Sequence, residues 1–159
     1  MIRVGLISDT HGLLRSEALR ALAGSELIIH AGDVGRPEVL TALGKVAPVI
    51  AVRGNVDNGA FSETLPRSAV AEAGGLRIYV LHNIAELDFE PLKRGFGAVV
   101  FGHSHKPART DKNQLLFLNP GSAGPQRFRL PVTIAQLRIE QGRPEVRFVD
   151  LLTGSDLDV

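Results

Sequence analysis

Apolar residues along this chain gather into short runs that each stop at a polar, glycine-containing cluster. The first run, residues 2–8, gives way to Asp9-Thr10-His11-Gly12, and an apolar run of that length reads as a strand buried on both faces. From Ser16 to Gly24 the apolar positions move to helical spacing, with Ser16 as a candidate cap and Gly24 as a stop. Leu27 to His30 is the next buried strand and ends in Ala31-Gly32-Asp33. Pro37 to Leu43, closed by Gly44, predicts a second helix with proline in its first turn. A third strand, Pro48 to Arg53, runs into the turn formers Gly54 to Gly59.

This β-α-β-α rhythm then breaks. Ser68 to Glu72 and Leu76 to Leu81 flank Ala73-Gly74-Gly75, a hairpin signal that introduces an antiparallel pair. Ala85 to Lys93 predicts a short helix, and Ala98 to Phe101 a strand that ends at Gly102-His103-Ser104-His105. Two more hairpins follow, Ala108–Asp111 with Leu115–Leu118 and Thr133–Ile139 with Glu145–Leu151. Gly154 to Val159 reads as a loose tail. With no internal repeat or long linker, residues 1–159 are expected to form a single domain, a compact mixed α/β sandwich.

Composition narrows the classes. Hydrophobic residues at 44% and charged residues at 22% suit a globular chain rather than a disordered one. Eighteen Lys and Arg against 17 Asp and Glu leave no electrostatic surplus to attract an anionic membrane or a long nucleic acid. A single Tyr and no Trp further disfavour a groove of stacking aromatics for a polymer. The absence of cysteine means that any metal is held by nitrogen and oxygen. The N-terminal run is too short for a signal segment and nothing approaches a membrane span, so a cytoplasmic protein with no membrane partner is expected.

In open α/β sheets, ligands sit outside the carboxyl ends of the strands, and every polar motif named above lies at such an end. Asp9 and His11 flank Thr10 and can face one ion where strand becomes loop, although alone they read as an Asx-turn beside a surface histidine. Asp33 follows a glycine that lets the backbone pass close to an ion, and its two oxygens can bridge two cations; the alternative is a helix cap before Pro37. Asn55 offers a neutral carbonyl oxygen, or fills a left-handed turn. His103 and His105 bracket Ser104, and His82 closes the run Leu76–Leu81 at a corresponding position. His30, three residues before Asp33, is assigned to packing or to hydrogen bonding behind the ligands. Asp9, His11, Asp33, Asn55, His82, His103 and His105 thus supply seven donors, too many for one tetrahedral ion and suited to two divalent metals sharing a carboxylate. Such pairs generate hydroxide near neutral pH and clamp the attacking and leaving oxygens of an in-line displacement at phosphorus. Phosphoester hydrolysis is the expected chemistry.

Read in order, Asp9-x-His11, Gly32-Asp33, Gly54-Asn55, His82 and Gly102-His103-x-His105 resemble the calcineurin-like metallophosphoesterases. Asn119-Pro120-Gly121-Ser122 is similar to the small bacterial and archaeal phosphodiesterases among them, and the resemblance runs from Ile2 to about Leu151. It implies a four-layer α-β-β-α sandwich of two mixed sheets with helices outside. It implies a first metal on Asp9, His11, Asp33 and His105 and a second on Asp33, Asn55, His82 and His103, with Asp33 bridging. Asp33, Asn55 and His103 are expected to be catalytic as well as ligating. Manganese is the metal the family suggests, with iron, nickel or zinc as alternatives, and the substrate is expected to be a small phosphoester attacked by metal-bound hydroxide.

Two departures from the family pattern bear on the reaction. Val56 stands where many relatives carry a histidine that protonates the leaving group, a contribution of about 10²–10⁴-fold. Diesters and activated aryl esters are therefore expected over alkyl monoesters. Asn83 follows His82 where the family usually has glycine, and is expected to aim that imidazole differently. Asp57 preserves the Gly-Asn-x-Asp of the small relatives and is expected to orient its loop or support a ligand. Arg53, Arg127 and Arg129 could contact phosphate, but surface arginines are common, so none of them is assigned and the substrate pocket stays unspecified. Against the phosphodiesterase stand a nuclease or phosphomonoesterase with the same metal chemistry, and a non-catalytic protein-interaction scaffold of the kind a retromer subunit makes from this fold. The complete donor set favours turnover. Exposed hairpins near the C-terminus leave a homo-oligomer about a two-fold axis open.

Overall fold

Two mixed sheets face each other in the computed structural model, which describes residues 1–159. In chain order the elements are β1 (Ile2–Ile7), α1 (Ser16–Leu22), β2 (Leu27–His30), α2 (Pro37–Gly44), β3 (Val49–Ala51), α3 (Gly59–Glu63), β4 (Ser68–Ala73), β5 (Leu76–Leu81), β6 (Ala98–Val100), β7 (Ala108–Lys112), β8 (Leu115–Asn119), β9 (Thr133–Glu140), β10 (Arg143–Asp150) and β11 (Asp156–Leu157). The first sheet has the order β11-β10-β9-β1-β2-β3 and the second β4-β5-β6-β8-β7. Within the first, β1, β2 and β3 are parallel. Within the second, β5, β6 and β8 are parallel. Each parallel triplet directs its carboxyl ends, and so its polar loops, to one side of its sheet.

Strand periodicity accounts for the layers. Val4 and Leu6 of β1 and Ala135, Leu137 and Ile139 of β9 pack between the sheets against Ile78, Val80, Val100 and Leu118. The residues between them turn to the other face, where Ile7, Ile28 and Ile134 meet Ala18 and Leu22 of α1 and Val39 and Leu43 of α2. Truncating a fully buried side chain such as Leu137 to alanine would cost roughly 2–5 kcal/mol. The outer face of the second sheet is covered more thinly, with Leu81, Val99 and Leu115 packed against Ile84 and Leu87. No helix is long and apolar enough to cross a membrane.

Several sequence expectations are corrected. The helix over Ala85–Lys93 is two 3-10 turns, Ile84–Glu86 and Pro91–Arg94; Pro91 biases Glu90 away from helical geometry and cannot donate to a continuing ladder. Ser16 is the first residue of α1 rather than its cap, since Arg15 holds that position without a side-chain cap bond. The tail is not loose: Asp156 and Leu157 pair with Val149 and Phe148, and Arg147 forms an ion pair with Asp156. The third strand contracts to Val49–Ala51, and α3 follows in a stretch without helical periodicity.

Candidate metal centre

All seven candidate donors lie in loops at the carboxyl ends of β1, β2, β3, β5 and β6, and the fold brings them together. His105 Nε2 is 3.2 Å from Asp9 Oδ1 and 3.2 Å from His11 Nε2. His11 Nε2 lies 3.9 Å from Asp9 Oδ1 and 3.8 Å from Asp33 Oδ2. His82 Nε2 is 3.3 Å from Asp33 Oδ2 and 2.9 Å from Asn55 Oδ1, which is in turn 3.1 Å from His103 Nδ1. Donor atoms of Asp9, His11 and His105 fall within 4.8 Å of one another, as do those of Asp9, Asp33 and His82. Asp9 therefore faces both groups, alongside Asp33.

This arrangement fits a divalent cation pair on its own chemistry. Asp9 Oδ1 is buried and has no hydrogen-bond partner, a state that costs about 1–3 kcal/mol or more unless a positive charge meets it. His82 donates from Nδ1 to Ala31 O at 2.7 Å, which leaves Nε2 facing only oxygen acceptors. Burial lowers the His82 pKa, but the Asp33 hydrogen bond and the charges of Asp9 and Asp33 outweigh it, so the pKa is raised. For Asp33, burial favours the neutral form and is overcome by the His82 bond, the Val56 N–H and the His82 and His11 charges, so its pKa is lowered. The His11 pKa is lowered, first by burial and then by Arg127 and His105, against the pull of Asp33 and Asp9. The ring nitrogens and carboxylates are thus arranged to exchange protons for metal.

The local backbone carries strain at these positions. Asp9 (φ 55°), His11 (φ 47°), Asp33 (φ 55°), His103 (φ 71°) and His105 (φ 61°) are all in the left-handed region, at a cost of order 1–3 kcal/mol each. Gly54 is required by close approach, because a Cβ there would collide with Asp33.

Residues behind the donors hold them, and sequence reasoning assigned few of them. Ser8 Oγ donates to Asp9 Oδ2 at 2.6 Å, and the His103 N–H reaches the same oxygen at 3.2 Å. Fully buried His30 accepts from Gly32 N–H at Nδ1 (3.2 Å), so Nε2 carries the hydrogen and donates to Thr10 Oγ1 (2.9 Å), whose hydroxyl donates to Val34 O (2.8 Å). Asn119 Nδ2 donates to Gly102 O and Ser104 Oγ, and Ser122 Oγ donates to Asp9 O at 3.0 Å. The Asn-Pro-Gly-Ser motif thereby braces both histidine and aspartate loops. Asn83 does not turn toward the centre: its Oδ1 accepts from Ala85 N–H and caps the following 3-10 turn.

Comparison with known proteins agrees with this geometry. Residues 2–142 match the model of the calcineurin-like phosphoesterase superfamily domain. A probable metallophosphoesterase of Methanothermobacter thermautotrophicus is 34% identical over 149 residues, covering 86% of each chain. A conserved predicted phosphoesterase from Streptococcus pneumoniae has a crystal structure with a TM-score of 0.75 at 26% identity, covering 94% of this chain and 90% of that one. Vacuolar Protein Sorting 29 of Cryptosporidium parvum shares the fold with a TM-score of 0.82 at 22% identity, covering 98% and 94%. The motif order, the paired mixed sheets and the family match lead to one assignment: this chain belongs to the calcineurin-like phosphoesterase superfamily, and metal-dependent phosphoester hydrolysis is the activity that membership supports.

Proposed function

We propose that this protein is a two-metal phosphodiesterase in which Asp9, His11, Asp33 and His105 hold one ion and Asp33, Asn55, His82 and His103 the other. The observation that carries this reading is the convergence of His105 (3.2 Å), His11 and His82 (both 3.9 Å) on Asp9 Oδ1, a buried carboxylate oxygen with no hydrogen-bond partner. A bound metal pair would supply hydroxide at neutral pH and neutralise charge on the phosphoryl oxygens. The protein's own residues do the rest. Asp33 spans both groups, being within 3.8 Å of His11 and 3.3 Å of His82. Asn55 and His103, both exposed, form the open side where a substrate phosphoryl group can enter.

Preference for weakly basic leaving groups rests on position 56, and the diester reading rests on the resemblance to the small phosphodiesterases. Val56 presents no titratable side chain, and its backbone N–H is committed to Asp33 Oδ1 at 3.0 Å. A leaving group must depart with little help from an acid there, which suits esters whose leaving groups are weakly basic. Manganese is the proposed activating metal, since mixed imidazole and carboxylate sites accept it.

The test is hydrolysis of bis-p-nitrophenyl phosphate beside p-nitrophenyl phosphate after chelation and re-addition of Mn²⁺, for the wild type, Asp33→Asn and His103→Ala. Metal-restored cleavage that is faster on the diester and lost in both variants is the expected result. A folded, metal-loaded protein that cleaves neither ester would sink the enzyme reading in favour of an interaction scaffold.

A further inference from the structure

Outside the donor set, one tight turn holds a phenylalanine at a left-handed position that glycine usually takes. Of the other non-glycine residues with positive φ, Asn113, Gln114 and Gln141 sit in two-residue hairpin turns that require it. Phe128, with φ 55°, takes the first central position of the turn that Leu130 N–H closes on Arg127 O, where a bulky residue adopts this conformation only at a cost. Its side chain is also 95% exposed, more than any other large apolar residue of the chain. A fully exposed ring is thus presented at the tip of a tight turn.

Its loop abuts the metal centre. Gly124, where the loop leaves Ala123, approaches the backbone of Asp9 and Thr10 so closely that a Cβ would clash with both. Arg15 Nη2 donates to Gly124 O at 3.3 Å from the segment that follows His11. Beyond it, Leu130 N–H donates to Arg127 O at 3.2 Å and Gln126 Nε2 to Leu130 O at 3.0 Å, a closed turn with Phe128 at its tip. Arg127, the neighbour of Phe128, lies near enough for its charge to act on His11. Two further exposed apolar side chains, Leu13 and Val56, come from the loops that carry His11 and Asn55. The polar centre is flanked by loops bearing apolar side chains.

Resting on the reading of that centre as a phosphoester site, we infer that Phe128 is a specificity-determining residue. It stacks on an aromatic ring, a nucleobase or aryl group, of the phosphate ester held at the metals. A ring face held out in water gains little until a second π-surface covers it, and such stacking tolerates many rings. The neighbouring guanidinium favours the anionic phosphate that the ring brings with it.

The test is calorimetric binding to the Mn²⁺-loaded protein, which needs no turnover. Thymidine 5′-phosphate and methyl phosphate present the same charged group, and only the first carries a ring. The wild type is expected to prefer thymidine 5′-phosphate by about tenfold or more, the scale of one base–aromatic stack. Phe128→Ala loses that preference, Phe128→Tyr keeps it, and methyl phosphate binding stays within about twofold in all three. Equal affinity for both ligands in the wild type, or equal weakening of both in Phe128→Ala, overturns the inference. A ring preference that persists in a protein hydrolysing no diester upholds the contact and refutes the hydrolase, whereas binding of neither ligand overturns both.

Discussion

Asp57 accepts a hydrogen bond from Gly54 N–H at 2.9 Å, and the same carboxylate accepts Val34 N–H at 3.2 Å and Gly35 N–H at 3.0 Å. One side chain thus clamps the loop that carries Asn55 to the loop that carries Asp33. Replacing it by alanine strands three N–H groups beneath the metal centre. Asp57→Ala is expected to lower stability by about 3 kcal/mol in urea unfolding with chelator present. Metal affinity should fall about 10–100-fold, as is usual when a group that orients ligands is removed, read by competition with a fluorescent chelator. Asp57→Asn, which keeps one acceptor oxygen, should fall between. Lost stability at unchanged metal affinity would mean that the clamp serves the fold alone.

The sequence points to Asp57 as a support for its own loop, and its reach to Val34 and Gly35 is where the sequence becomes opaque. Apolar runs ending in Asp9-x-His11, Gly32-Asp33 and Gly102-His103-x-His105 announce strands and polar loops, because burial sets the first and turn chemistry the second. Both are local signals. What lies behind the donors depends instead on which loops meet. Ser122 reaches Asp9 O across 113 positions and Asn119 reaches Gly102 O across 17, and no periodicity encodes such pairings. His30 was separable from the other histidines only by its place within a strand, three residues before Asp33. The outer layer over the second sheet misled for a simpler reason, since Pro91 interrupts what otherwise reads as one short helix.

His30 gives the fold a pH dependence with a definite sign. Burial, outweighing the pull of Asp9, Asp57 and Asp33, lowers its pKa to about 4 from the ordinary 6.5. Between those values the unfolded chain binds a proton that the folded chain does not, so stability rises with pH there and is lost as pH falls. The full effect is about 3 kcal/mol. Urea unfolding of the metal-free protein should show the advantage of wild type over His30→Asn shrinking by that amount from about pH 7 to pH 4. Parallel pH curves for the two proteins would show that His30 is not held neutral.

Metal binding should be visible as stability before any substrate is added. Mn²⁺ at 100 times its dissociation constant is expected to stabilise the fold by about 2.7 kcal/mol, a rise in Tm of roughly 5–10 °C for a chain of this size. Asp9→Asn should abolish most of that rise, because Asp9 Oδ1 lies 3.2 Å from His105 Nε2 and 3.9 Å from both His11 and His82. Differential scanning calorimetry with and without chelator checks it. An Asp9→Asn protein that still gains the full shift would remove Asp9 from the ligand set.

Position 56 offers a gain-of-function test of the substrate preference. The Val56 side chain is 48% exposed beside Asn55, so an imidazole can replace it without displacing the core or burying a charge. Its backbone bond to Asp33 Oδ1 does not depend on the side chain. Val56→His would place an acid beside Asn55, and such an acid contributes about 10²–10⁴-fold where the leaving group needs a proton. The variant should therefore gain at least about tenfold in kcat on an alkyl monoester such as glycerol phosphate. Bis-p-nitrophenyl phosphate, whose leaving group departs without a proton, should change little. The gain should also disappear as pH rises past the imidazole pKa, which separates acid catalysis from a merely wider pocket. Equal acceleration of both substrates, or none of the alkyl ester, would mean that the missing acid is not what sets the preference.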